Sequence, residues 1–304
     1  VKISGDALTP NQRLNWLSMR TQTPLVDIEA LKAMLSPSES SSPYYYLDFE
    51  HINPVIPLFE GKKPFETVIT QFSVHKSTVH PYHHERECDV NINKTDNINY
   101  IENATAAGTL VRYEYLCDGT SASLEELAVQ LLEALGDTGT IYVYSSNEVT
   151  QFRRLASQYP HLAQKFENLE ARLFDLERLI RRSIIHPHFF GRTSLKIVLP
   201  AMVPAYDGAY ANLGVSDGAS AIVAYERMLE PGTSNAERES ITADLLEYCA
   251  LDTLSLVELH RGLHKTIQEV EMGEGPFRVA EFQNFKKLKE EEWRVLEASI
   301  SPAA

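Results

Sequence analysis

The spacing of apolar and polar positions changes along the chain, and each change marks an element. Over residues 44–50, Tyr45, Leu47 and Phe49 alternate with Tyr46, Asp48 and Glu50, an aromatic-rich run of period two that predicts a strand. Further strands are expected over 67–75, 110–116 and 140–144. After Ser123 the period lengthens: Leu124, Leu127, Ala128, Leu131 and Leu135 share one helical face, and Gly136 ends the run. The strand at 140–144 leads into a helix starting near Asn147. From there to His260 helical stretches alternate with loops, among them 186–191 and the turn region 200–208. Strands first, then strand and helix alternation, then helices predict an α/β fold, a mixed sheet flanked by helices.

Composition bounds this region. Residues 1–43 form a polar lead-in ending in a Ser-rich run, Ser36 to Ser42, and Pro43, which predicts an N-terminal extension or linker. The main domain is therefore expected over 44–264. Within it, 76–108 is rich in Asn, Thr and His and reads as a surface insertion. Residues 265–304 are expected as a helical tail, its last helix at about 279–299 carrying Lys286, Lys287 and Lys289 followed by Glu290, Glu291 and Glu292.

Charge and cysteine usage narrow the function classes. The formal net charge of −14 has the wrong sign for a protein that coats nucleic acid through counterion release, but it is no obstacle to an enzyme. Residues 151–200 run against that trend, with nine Lys and Arg against four Asp and Glu, a local +5 that suits either a phosphate-binding face or solvated helix faces. No stretch approaches the roughly 18 to 20 apolar residues of a membrane span, and the first 30 residues lack a signal-peptide layout. A cytoplasmic protein with no membrane partner is expected. Cys88, Cys117 and Cys249, odd in number and widely spaced, fit a reducing compartment and no cysteine zinc site. The start at Val1 fits either initiator removal or a piece of a longer protein.

Two carboxylates two apart on a strand face one point, so Asp48 and Glu50 either reach solvent at a strand end or share a cation. Oxygen ligands of this kind select hard ions such as Mg²⁺ or Mn²⁺. Some 200 residues later, Ile241, Leu245, Cys249, Leu256 and Leu259 mark the apolar face of a helix, and Asp252 falls inside that stripe. Tyr248 lies one turn before it, able to reach the same point. Glu148 follows the 140–144 strand. Ser145-x-x-Glu148 is itself a capping box that would tie Glu148 to its own helix start, and the alternative is a metal or water ligand. Asp175 is a further acid in an apolar context. His75, His80, His83, His84, His186 and His188 lack zincin spacing and are expected as loop histidines. Phosphate-loop, dinucleotide and nucleophile-elbow motifs are missing from the sequence.

The ordered set Asp48-x-Glu50, Glu148 and Tyr248-x-x-x-Asp252 resembles the DEDD exonuclease superfamily, in the branch whose third motif uses tyrosine. Tyr46 to Glu50, Gln71 to His75, Gly191 to Lys196 with Val198 to Pro200, and Leu246 to Thr253 resemble more closely the bacterial domain-of-unknown-function family 2779, over residues 43–262 or so. The resemblance implies a ribonuclease H-like fold and 3′ to 5′ cleavage of single-stranded DNA or RNA ends. Two Mg²⁺ or Mn²⁺ ions would be held by Asp48, Glu50, Asp252 and Glu148, with Tyr248 orienting water and Gln71 meeting substrate. It also implies a separate nuclease-like domain in the full-length protein. Arg192 and Lys196, near a predicted helix start, could contact phosphates or face solvent. Two departures stand out: Glu148 occupies a position where these enzymes usually place Asp, and the 76–108 insertion is long. The rival classes are an inactive docking module of a larger protein and a phosphodiesterase of small nucleotides.

Overall fold

In a computed structural model of the chain, the described residues are 8–39, 42–80, 101–105, 108–211, 213–282, 291 and 293–295. In chain order the elements are α1 (Pro10–Thr21), β1 (Leu25–Val26), α2 (Ile28–Leu35), β2 (Tyr44–Ile52), β3 (Val68–Ser77), β4 (Ile101–Thr105) and β5 (Gly108–Leu116). They continue with α3 (Ser121–Leu135), β6 (Thr140–Val143), α4 (Asn147–Gln158), α5 (Ala163–Glu170), β7 (Leu173–Asp175), α6 (Leu176–Ser183) and β8 (Ile184–Ile185). The last are α7 (Leu195–Met202), α8 (Gly218–Leu229), α9 (Asn235–Glu271) and β9 (Arg278–Val279). The fold is mixed α/β, with mixed sheets flanked by helices. Among the described residues no helix is long and apolar enough to cross a membrane.

The chain divides into two units, one of residues 41–175 and 208–257, the other of residues 1–40, 176–207 and 258–304. The first is built on a six-stranded sheet of order β4-β5-β3-β2-β6-β7. β2 runs antiparallel to β3, β3 and β4 antiparallel to β5, and β6 parallel to both β2 and β7. Period-two alternation gives β2, β3 and β5 two different faces. One presents Leu47, Phe49, Phe72 and Val74, which join Leu127, Leu131 and Leu135 of α3 in the core. The register places Asp48 opposite Ser73, Glu50 opposite Gln71, and Glu114 opposite Ser73 on its other side, so the second face is polar.

Local chemistry holds β6 beside β2. Gly139 has φ of 89°, and a Cβ there would lie 2.0 Å from the Pro43 carbonyl oxygen, so glycine alone permits this approach. Arg172 then closes the turn after α3, donating from Nε to Gly139 O (2.8 Å) and from Nη2 to Leu135 O (2.9 Å), a carbonyl the helix end leaves unpaired.

In the second unit, residues 10–35 of the expected extension or linker form packed helices and a strand. α1 buries Leu14 and Leu17, and α2 buries Ile28, Leu31 and Leu35, a helical spacing that packs. β1 pairs antiparallel with β8 and parallel with β9. Leu14, Leu25, Ile185, Ala280 and Trp293 form its core. Asp27 caps α2 through Ala30 N (3.0 Å) and also accepts from Phe282 N (2.9 Å), joining distant stretches of sequence. Where a helix was expected to begin near Val279, residues 278–279 pair as a strand instead, and α9 runs on to Glu271. Most of the expected last helix, and residues 81–100 of the expected insertion, lie outside the described residues; the insertion's flanks are strands β3 and β4.

Candidate metal centre

Pleating puts Asp48 and Glu50 on the polar face of β2, where the pairing with β3 shifts register between Glu50 and His51. Such a bulge re-aims the side chains beside it. α9 lies against this face. Cys249 approaches the Asp48 carbonyl at 3.9 Å, and one turn on, Asp252 projects to the same place. One carboxylate oxygen each from Asp48, Glu50 and Asp252 lies within 4.8 Å of the others. The structure thus brings together acids more than 200 residues apart.

The polar face keeps α9 in register by hydrogen bonds. Thr253 Oγ1 meets Ser73 Oγ at 2.9 Å and His75 Nδ1 at 2.8 Å, and Gln71 donates to the Leu245 carbonyl at 2.9 Å. Burial, with the Arg112 charge, lowers His75 from its ordinary 6.5 to about 3, so this ring is a neutral structural partner. Arg112 in turn pairs with buried Glu114 at 2.7 Å. Gln71 was expected to meet substrate. It is 1 % exposed with its amide committed to α9, because it sits mid-strand under the helix, so its place is in the interior.

Electrostatics mark the cluster as strained without a cation. Burial first, then the charges of Asp252, Glu50 and Glu148, hold the Asp48 carboxyl well above the usual carboxylate range, against a backbone hydrogen bond from Phe49. Glu148 is 3 % exposed, and its Oε2 has no hydrogen-bond partner among the described residues. Burial, with a smaller contribution from Asp175, raises its pKa from 4.5 to about 8. The expected capping box is not formed. Ser146 is the N-cap of α4 without a side-chain cap bond, while the Ser145 N–H donates to Asp175 Oδ1 at 3.2 Å. The Ser145 hydroxyl accepts from Asn147 N at 3.2 Å, and Glu148 is left buried.

Tyr248 is 4 % exposed, and burial with the charges of Asp252, Glu50 and Asp48 raises its phenol pKa above the ordinary 10. The sequence reading missed Tyr210. Its hydroxyl donates to Asp252 Oδ1 at 2.6 Å, lies 3.1 Å from Ser255 Oγ, and its ring meets Tyr248 edge to face at 6.3 Å. Its segment, between the turn at 204–206 and α8, carries no periodic signal that would single it out. Arg192 and Lys196 are exposed and belong to the other unit.

Oxygen donors alone, three of them convergent and a fourth, Glu148 Oε2, buried with no hydrogen-bond partner among the described residues, suit a hard divalent cation such as Mg²⁺ or Mn²⁺. Residues 45–194 match a family model described as a domain of unknown function (DUF2779), which supports the family resemblance seen in the sequence. The match carries Asp48, Glu50 and Glu148, whereas Tyr248 and Asp252 lie beyond it. No curated protein and no solved structure matches the chain.

Proposed function

We propose that this protein is a metal-dependent 3′ to 5′ exonuclease of single-stranded DNA or RNA. The observation that carries the reading is the convergence of Asp48, Glu50 and Asp252 within 4.8 Å on the polar face of the sheet. Acids held this close repel one another and lose water, which a cation offsets. The strand order supports a ribonuclease H-like fold: antiparallel partners lie on one side of the acid-bearing strand β2 and parallel ones on the other.

Asp48, Glu50 and Asp252 would hold the divalent ions, with Glu148 behind them. Bound there, such ions supply Lewis acidity toward the phosphate and a water acidified enough to attack it. Tyr210 fixes the rotamer of Asp252 by occupying its Oδ1. Tyr248, its phenol pKa raised by burial and the neighbouring acids, would act as a hydrogen-bond donor that orients water or a phosphate oxygen. Glu148 has a longer arm than the Asp usual at this position, and its raised pKa makes it a proton holder until a cation arrives.

The test is digestion of 5′-labelled single-stranded DNA and RNA, and of dinucleotides, with Mn²⁺, Mg²⁺ or EDTA, beside an Asp48→Ala, Asp252→Ala double variant. A metal-dependent ladder shortening from the 3′ end and missing in the variant is the expected result. Cleavage of dinucleotides alone would make the protein a small-nucleotide phosphodiesterase. Silence on every substrate by wild type and variant alike would leave a docking module.

A further inference from the structure

In the unit built around α1, α2 and α6, residues 178–196 contain Arg178, Arg181, Arg182, Arg192 and Lys196 and no Asp or Glu, inside a chain of net charge −14. α6 buries Leu176, Leu179, Ile180 and Ser183, which turns Arg178, Arg181 and Arg182 to the opposite, exposed side. The loop after β8 returns to that helix: Thr193 donates to Glu177 Oε1 at 2.7 Å, and Arg181 Nη1 lies 3.9 Å from the same oxygen. Arg181 and the Arg192 segment are therefore neighbours.

At the tip of this loop stands Phe190, 65 % exposed and stacked on His188 with ring centroids 6.5 Å apart and an interplanar angle of 21°. Its backbone is left-handed, φ 50° and ψ 33°, and Gly191 follows at φ 74°. A bulky residue in this region is conformationally costly and leaves a large aromatic face in water. His186 and Phe189 beside it are buried, so the loop has an anchored base and an exposed aromatic tip.

We propose that this face, Phe190 on His188 with Arg192 in the same loop and Arg181 beside it, docks single-stranded polynucleotide, an unpaired base stacking on Phe190 while the guanidinium groups meet phosphates. Arginines beside an exposed ring suit a single strand, whose bases are free to stack, better than a duplex, whose bases are covered. The choice of nucleic acid as partner rests on the exonuclease reading; the aromatic and basic face does not.

The experiment measures fluorescence anisotropy of a labelled 20-nucleotide oligothymidine and of a blunt duplex of equal length. It uses the full chain in EDTA, so that binding is read without cleavage. The single strand should bind more tightly than the duplex. Phe190→Ala should weaken single-strand binding at least about five-fold, the low end of one lost base stack, and change duplex binding less than two-fold. Arg181→Glu with Arg192→Glu should lower the slope of log K against log salt by about 1.4, two phosphate contacts. Lys63→Glu with Lys165→Glu, the same charge change on exposed positions of the other unit, should leave the slope within 0.3. Circular dichroism checks that each variant is folded. No binding by the wild type, duplex preference, a Phe190→Ala variant equal to wild type, or an equal loss in the Lys pair would overturn the proposal. Binding that persists while the digestion assay is silent overturns only the catalytic reading; a metal-dependent 3′ ladder from a protein whose Phe190→Ala variant binds oligothymidine as wild type does overturns only this one.

Discussion

The two faces of the sheet formed by β2, β3 and β5 share the same backbone hydrogen bonds and differ in everything their side chains do. Leu47, Phe49, Phe72 and Val74 are each at most 5 % exposed and stabilise the fold by leaving water. One residue along in each case, Asp48, Glu50, Gln71 and Ser73 put charge and hydrogen-bonding groups under α9, where every group needs a partner. Ser73 has Thr253, and the Gln71 amide has Leu245. Asp48, Glu50 and Asp252 converge on one another, with Tyr210 donating to Asp252. A face that lowers the stability of the empty fold is the kind of local conflict that folds retain at functional sites.

This contrast can be broken at adjacent residues. Leu47→Ala should cost about 2–5 kcal/mol in urea denaturation, whatever the buffer, because it opens a cavity in a closed core. Its neighbour should behave oppositely. Asp48→Asn should raise the stability of the EDTA-treated protein, because the amide carries no charge for burial or the neighbouring acids to penalise. A destabilised Asp48→Asn protein in EDTA would mean the carboxylates are paired and the repulsion argument is wrong.

Glu148 gives the contrast a pH signature. Its carboxyl ionises near 4.5 when unfolded and near 8 when folded, so the unfolded state releases the proton first. Metal-free stability should therefore be greatest below pH 4.5 as far as this group is concerned, and should fall as pH rises from 4.5 to 8. Thermal melts across that range should show the decline in wild type and a flatter profile in Glu148→Gln. Identical profiles would show that Glu148 is solvated. The smallest effect is expected at Tyr210. Tyr210→Phe removes the hydrogen bonds to Asp252 and Ser255, each a net of about 0.5–1.5 kcal/mol, and should weaken Mn²⁺ binding several-fold with a smaller effect on melting temperature in EDTA. An equal loss of stability and of metal binding would make Tyr210 merely structural.

What the sequence revealed follows the range of its signals. β2, β3, β5 and β6 were legible because alternation and aromatic content are local, and α3 because five apolar residues share a face and Gly136 ends it. β7 has three residues, too few for a period. α1 was hidden because its buried side includes Arg13 and Ser18 beside Leu14 and Leu17. Asp48, Glu50, Tyr248 and Asp252 could be picked out by asking why acids sit within apolar stripes. Tyr210, in a loop 42 residues before Asp252, offered no such question. Between the two readings open for Glu148 the sequence could not choose, because a capping pattern is local whereas the Ser145 N–H bonds to Asp175 at the end of the neighbouring strand β7.

The central claim is that Asp48, Glu50 and Asp252 form a divalent-cation site. Calorimetric titration of Mn²⁺ into chelator-stripped protein, wild type against an Asp48→Asn, Asp252→Asn variant, tests it directly. Saturable binding is expected in the wild type and none in the folded variant. Equal heats in both proteins, or no binding by the wild type, would contradict it.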